Sequence, residues 1–339
     1  MTSQSHQGPS GSWIAVCRCS VSTFSSHVSW LVFAVLAAPE IRTAADDTYL
    51  TVTSGGMELR ARTLWQRTEP LHAVIYFDEQ CRGMGKALGL KGFWMGYFAA
   101  RLAPMGAVES SLATAVLAVF APGMVARALP AAWSTVAPEE IVDERAGRAA
   151  AALRAIVPGI DDHAAKLAAP LAAMVEDAPP LARPLFAANR ARCDHDDPVE
   201  RLWQLTTCLR EFRGDAHAAA LADHGLDGCE ALVMAAATDR VPRDGIRLDR
   251  GWSEEEWAAA EDRLRSRGLL DAEARATVHG GEERARIEET TDRLAARLLR
   301  PLADRTADAL LAALEGPARQ VVEANVLPFP NPIGLPRPF

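Results

Sequence analysis

The chain has 339 residues, a net charge of -8 and only 6% aromatic residues. That length can bury a substantial core and by itself points to two domains. The acidic balance speaks against a general nucleic-acid surface, which needs clustered Lys and Arg to displace counterions from phosphates.

Alanine is abundant, strand-favouring residues are sparse, and apolar residues recur at three- and four-residue steps, so the chain reads as mainly α. Residues 1–56 are rich in Ser and Thr and hold one apolar run, Val28 to Ala38, after Arg18. The run resembles a secretory signal but is too short for a membrane span. Three readings stay open for this leader: a signal, a disordered tail, or a start set ahead of the natural one. Met57, which follows Gly55-Gly56 and opens an amphipathic pattern, would be the natural start.

From Met57 the spacing predicts a helix over about 58–68, a restart at Glu69-Pro70, and a second helix with His72, Tyr76 and Glu79 on one face. Glycines at 83, 85, 89 and 92 then precede a helix carrying Trp94, Tyr97 and Arg101 and ending near Pro104. Trp65 to Pro104 concentrates the aromatic residues, including two of the three tyrosines, and reads as the wall of a pocket. Val108 to Leu129 is nearly uncharged and predicts a buried helical pair split at Pro122-Gly123. Helices follow over about 138–157, 161–177 and 199–223, each of the first two opened by acidic residues. Asp194-His195-Asp196-Asp197 has metal-ligand residue types, but before Pro198 it reads as a solvated turn. The cysteines outside the leader, Cys81, Cys193, Cys208 and Cys229, lack metal-ligand spacing and suit reduced thiols in a cytoplasmic protein.

A second module begins near Leu226. Helices are expected over 230–239 and from Ser253, where Glu256 three residues on completes a capping box. Arg275-Ala-Thr-Val before His279-Gly-Gly predicts a strand and turn, and a long final helix starts near Glu282. That order is the one found in a winged helix-turn-helix. The expected architecture is an N-terminal helical bundle (57–225), a winged helix-turn-helix with a short β-ribbon (226–316), and a Pro-rich tail (317–339) lying extended on the surface.

Glu69-Pro-x-His72, Tyr76-Phe77, Gly92-Phe-Trp-Met-Gly-Tyr-Phe-Ala-Ala-Arg101, Leu209-Arg-Glu-Phe-Arg-Gly-Asp-Ala-His217, Arg267-Gly-Leu-Leu270 and Pro328-Phe-Pro-Asn-Pro-Ile-Gly-Leu-Pro336 are long, specific motifs. With them, residues from about 59 to 337 resemble an actinobacterial family of helix-turn-helix proteins whose C-terminal part is similar to the multiple-antibiotic-resistance regulators. The resemblance implies the fold and brings no assigned activity. Phe212 stands where the family pattern has His, which speaks against metal or proton chemistry at that position.

The unusual polar residues fall in two segments: His72, Tyr76, Trp94, Tyr97 and Arg101 in one, and Arg210, Arg213 and His217, at i, i+3 and i+7, in the other. Brought together, they would hold an anionic, partly apolar or aromatic ligand, with Arg forks on a carboxylate or phosphate. The bland alternative is equally physical, because Glu69, Glu79, Glu211 and Asp215 can neutralise those arginines without any ligand. The leading reading is a ligand-responsive, regulator-like protein. The alternative is an enzyme using His72 or His217, with metal or haem as a conceivable partner of imidazole and the winged helix as scaffold or dimer surface. No metal site or cofactor is assigned. DNA is disfavoured as a partner, because the recognition helix would open with Glu254-Glu255-Glu256 against a polyanion.

Overall fold

The computed structural model describes residues 46–339 other than residue 244, with side chains from Gly56 onward. The readings of residues 1–45, including the apolar run, lie outside the described residues. From Asp46 the backbone is already helical and continues through Met57.

Helix α1 (Asp46–Phe77) runs unbroken through Pro70, where the sequence predicts a restart. A mid-helix Pro removes a hydrogen bond at a cost of about 3 kcal/mol, but Thr68, Glu69, Leu71, His72, Ala73 and Val74 around it are all buried. Tertiary packing there outweighs local propensity. Asp78 accepts from the backbone amides of Gln80 and Cys81 and starts a new short helix, α2 (Glu79–Arg82). Glu79 therefore leaves the His72–Tyr76 face and is exposed.

Next come α3 (Met84–Ala87) and α4 (Gly92–Leu102). Gly85 and Gly96 bring these two backbones together, since a Cβ at either position would meet the other's Cα. The apolar stretch forms α5 (Ser110–Val116) and α6 (Pro122–Ala128), followed by α7 (Pro138–Ile156), α8 (Ile160–Asp177) and α9 (Pro184–Arg190). Helix α10 (Pro198–Asp223) is capped by Asp197, which accepts from the Val199 and Glu200 amides and so uses the acidic turn structurally. Residues on every side of α10 are buried, among them Trp203, Leu205, Cys208, Leu209 and Phe212. A helix buried all round is a core element. It packs against α1, α7, α8, α9 and the later helix α14.

The C-terminal part comprises α11 (Gly228–Ala237), α12 (Ile246–Asp249), α13 (Glu254–Ser266), α14 (Val278–Ala295) and α15 (Asp304–Glu323). The predicted capping box is present: Ser253 and Glu256 satisfy each other's free amides at 3.1 and 2.9 Å. The expected β-ribbon is not. Among the described residues there is no strand, only an isolated antiparallel bridge between Leu270 and Ala276. Asp271 takes the amides of Glu273 and Arg275 and closes the loop too tightly for a ladder to extend. His279-Gly-Gly, expected as a turn, lies in the first turn of α14, whose cap is Thr277. Gly280 is required there for contact, because a Cβ would overlap the Leu269 carbonyl oxygen.

The single long final helix is replaced by α14 and α15, with a 3-10 turn Ala296–Leu299 after the first of them. Helix α15 contains Pro317, so the tail begins later than expected. That tail is non-helical, as its prolines dictate, but it is not laid over the surface. Asn331 and Leu335 are buried, and the Asn331 side chain brackets Leu335 by accepting its amide and donating to its carbonyl. The described residues from Asp46 to Phe339 pack as one unit. Gly228 abuts the Ala118 carbonyl, the Ala121 amide donates to the Arg250 carbonyl, and the Trp252 indole donates to the Val119 carbonyl.

Candidate functional site

The two polar segments meet. Arg101 on α4 reaches Glu211 on α10 with Nε and Nη2, at 3.3 and 3.1 Å, and donates to the Tyr97 hydroxyl at 3.3 Å. Arg210 donates to the same carboxylate at 2.7 Å and faces Glu69 at 3.7 Å. Glu211 is thus clasped by two guanidiniums. Burial opposes its charge, but Arg101 and Arg210 overcome this and hold it down at about 2. Glu69 goes the other way: burial raises it more than Arg210 lowers it.

His72 and Tyr76 lie deeper. The His72 imidazole stacks on Trp203 and spans Thr207 Oγ1 (2.9 Å) and the Tyr76 hydroxyl (3.0 Å). Thr207 spends its own proton on the Trp203 carbonyl, so His72 must donate from Nδ1 and accept from Tyr76 at Nε2. Burial, reinforced by Arg210, keeps the ring well below its usual value and neutral. Both ring nitrogens are committed, leaving no lone pair for a metal or haem iron.

Arg213 and His217, one and two turns further along α10, face α14. Arg213 lies over the Trp65 ring and donates to Asp292 at 2.6 Å and Glu288 at 3.0 Å. His217 Nδ1 pairs with Thr291 Oγ1 at 3.0 Å. Because Thr291 donates to the Ile287 carbonyl, His217 is the donor here. Burial and then Arg284 push this imidazole down to about 3, which makes it a feeble general base at neutral pH.

Between these groups runs a cleft of about 450 Å³. Tyr97, Arg101, Arg210, Arg213 and His217 line it, whereas His72, Tyr76 and Trp94 do not. Trp94 instead packs edge-on against Phe120, whose ring is a wall. The opposite wall comes from α11 and the segment after it, and Pro332 to Gly334 of the tail close one side.

Three cationic wall residues lie outside the motifs from which the site is predicted. Arg240 and Arg284 share Glu288 with Arg213, and Glu288 is held near 2 by these arginines and His217 against the opposing effect of burial. Arg250 is different. Its Nη2 donates to the Pro332 carbonyl at 2.6 Å and its guanidinium lies 4.7 Å from the Phe120 ring centroid, but its buried Nε has no partner among the described residues. No ion pair among the described residues involves it, and burial lowers its affinity for its proton. Nothing in the sequence distinguishes Arg250, since it stands after a four-residue helix with no periodic pattern around it.

Six arginines line the cleft beside the carboxyls Glu69, Asp215, Asp227 and Glu288, and Glu211 and Asp292 behind the wall also pair with Arg101, Arg210 and Arg213. Two of the lining acids are weak there: Glu69 is raised, and burial pushes Asp215 up to about 6. Among the described residues no three His, Cys, Asp or Glu side chains group as a metal would require.

Helix α13 presents Glu254, Glu255 and Glu256 exposed at its start. Its arginines are already engaged: Arg263 with Glu230 and Asp227, both at 2.7 Å, and Arg265 with Glu261 and Asp262 at 2.8 and 2.9 Å. Arg267 donates to the carbonyls of Gly225 and His224, and Arg275 pairs with Asp271. Among the described residues no helix is long and apolar enough to cross a membrane.

No curated protein matches the chain, and no solved structure matches it. The model of a helix-turn-helix family matches residues 61–328, most of the length, and the chain belongs to that helix-turn-helix family.

Proposed function

We propose that this helix-turn-helix protein binds a small organic anion in the cleft between α10, α4 and α11, and that it is regulator-like through that ligand. The observation that carries the reading is Arg250, a buried guanidinium on an aromatic face with an unpartnered Nε and no carboxylate among the described residues. An isolated buried charge is costly, and a carboxylate or phosphate would supply the missing partner. Tyr97, Phe120 and Trp65 suit an apolar or aromatic body on the same ligand.

The ligand would touch the helix-turn-helix part directly, since Ala231, Leu232 and Ala235 of α11 form one wall. Occupancy would therefore bias how α11 sits against α10. Base reading by the start of α13 is not part of this proposal, because three exposed glutamates precede arginines that are already paired. The geometry favours binding over catalysis: His72 lies off the cleft with both nitrogens used, and His217 is too weak a base.

A thermal-shift screen tests the reading, using benzoate, phenyl phosphate and larger aromatic and aliphatic anions, each beside a neutral amide or alcohol of the same shape. Stabilisation by anions and not by their neutral counterparts is expected. Equal shifts from both classes, or none from any anion, would remove the proposal. A gel shift against duplex DNA at low salt accompanies it, and no salt-sensitive complex is expected from the isolated protein.

A further inference from the structure

Cys193 and Cys208 stand fifteen residues apart in sequence on either side of the capped start of α10, with nothing in their spacing to link them. In the fold their sulfurs are 3.4 Å apart. Cys193 lies in the loop after α9 and is half-buried, whereas Cys208 on α10 is completely buried. A disulfide is about 2.05 Å long, so bond formation needs a closure on the order of 1 Å, within reach of side-chain rotation.

We propose that Cys193 and Cys208 form an oxidation site for hydroperoxides, with Cys193 as the attacking thiol and Cys208 as the resolving one. In the first step the Cys193 sulfur attacks the hydroperoxide. An S–O bond forms, the O–O bond breaks, an alcohol or water leaves with the thiol proton, and Cys193 becomes a sulfenic acid. In the second step the Cys208 sulfur attacks the Cys193 sulfur, an S–S bond forms, and the sulfenic oxygen leaves as water with the Cys208 proton. Two thiols are oxidised by two electrons, and the hydroperoxide is reduced by two. A thiol-based reductant reverses the change by exchange.

The surroundings assign these roles. Cys193 is lowered by the hydrogen bond with Cys208 and then, against the effect of burial, by the cations Arg201, Arg145 and Arg190. Cys208 is raised well above its usual value by burial and by its neighbour, which makes it the less acidic of the two thiols. The attacking sulfur is thus the less buried, more acidic member, and the resolving sulfur already touches it. Cys81 and Cys229 are buried, and burial pushes each up to about 12, so they serve as internal controls.

The test uses the full chain treated with stoichiometric hydrogen peroxide, quenched by alkylation and mapped by peptide mass spectrometry. A Cys193–Cys208 cross-link that disappears with dithiothreitol is expected, with Cys81 and Cys229 fully alkylated after unfolding. In Cys208→Ala, and in Cys208→Ser should alanine prove unstable, dimedone should label Cys193. In Cys193→Ser, Cys208 should remain a thiol. The proposal is overturned if both thiols of the wild-type protein stay free, if Cys193 proceeds to sulfinic acid without a cross-link, or if it pairs with Cys17 or Cys19 instead.

Discussion

The guanidinium of Arg250 lies over the ring of Phe120, 4.7 Å from its centroid, with one N–H spent on the Pro332 carbonyl and the buried Nε left without a partner among the described residues. A cation on an aromatic face is worth on the order of 1–2 kcal/mol when desolvated. That does not repay the loss of hydration around a full charge. Replacing Arg250 by Met keeps the stem's volume and removes the charge. Arg250→Met is therefore expected to leave the urea midpoint of the ligand-free protein unchanged or higher, although the bond to Pro332 is lost. A large fall in that midpoint would mean that the cation is structural.

Glu211 behaves in the opposite sense. Its carboxylate is the shared partner of Arg101 and Arg210, and removing one member of a buried pair leaves the others uncompensated. Glu211→Gln should cost about 3–5 kcal/mol in urea unfolding. The acid limb of stability follows from the same group. Its value falls from the ordinary 4.5 to about 2 on folding, so its contribution is complete above 4.5 and is lost as pH drops toward 2. The loss is on the order of 3 kcal/mol.

The two buried imidazoles set a separate window. His72 and His217 are both lowered from an ordinary 6.5, His217 to about 3, chiefly by burial. Below 6.5 the unfolded chain takes up these protons and the folded one does not. Stability is therefore full above that value and declines by about 1.4 kcal/mol per pH unit for each imidazole as pH falls. Urea midpoints between pH 7.5 and 5 should show the decline, and His217→Gln should make it shallower. A pH-independent midpoint over that range would contradict the buried, neutral assignment.

Gly228 begins α11 directly against the Ala118 carbonyl, where a Cβ has no room. Gly228→Ala should destabilise by about 1–3 kcal/mol through overpacking. It should also displace α11 from the cleft wall. Gly316, with nothing near its added Cβ, is the control, and Gly316→Ala should be neutral or slightly stabilising. Equal effects at both glycines would show that the contact with residue 118 is loose.

Much of the fold is legible in the sequence because it depends on local rules. Apolar periodicity locates α7, α8 and α10, and the Ser253–Glu256 capping box marks the start of α13. The failures share one cause. Pro70 and Pro317 read as breaks but sit inside helices whose buried faces outweigh a missing hydrogen bond, and Gly280 reads as a turn although its role is to admit the Leu269 carbonyl. The site divides in the same way. Helical spacing puts Arg210 and Arg213 on one face and Tyr97 with Arg101 on another, and those faces do meet. His72 and Tyr76 carry the same signals but are drawn into the core behind the cleft, and Trp94, half-buried, packs against Phe120 instead of lining it. Arg250 and the Cys193–Cys208 contact arise only from tertiary juxtaposition, for which one chain's spacing holds no signal.

The cleft and Arg250 stand at the centre, a cation without a carboxylate among the described residues. The most direct test of their role is the anion thermal-shift titration carried out in parallel on the wild-type protein and on Arg250→Met. A charge-assisted hydrogen bond to a ligand anion is worth about 1.5–3 kcal/mol, so apparent affinity for any stabilising carboxylate or phosphate should fall roughly ten- to a hundredfold in the variant. Affinity unchanged by the substitution would place the anion elsewhere and contradict the assignment.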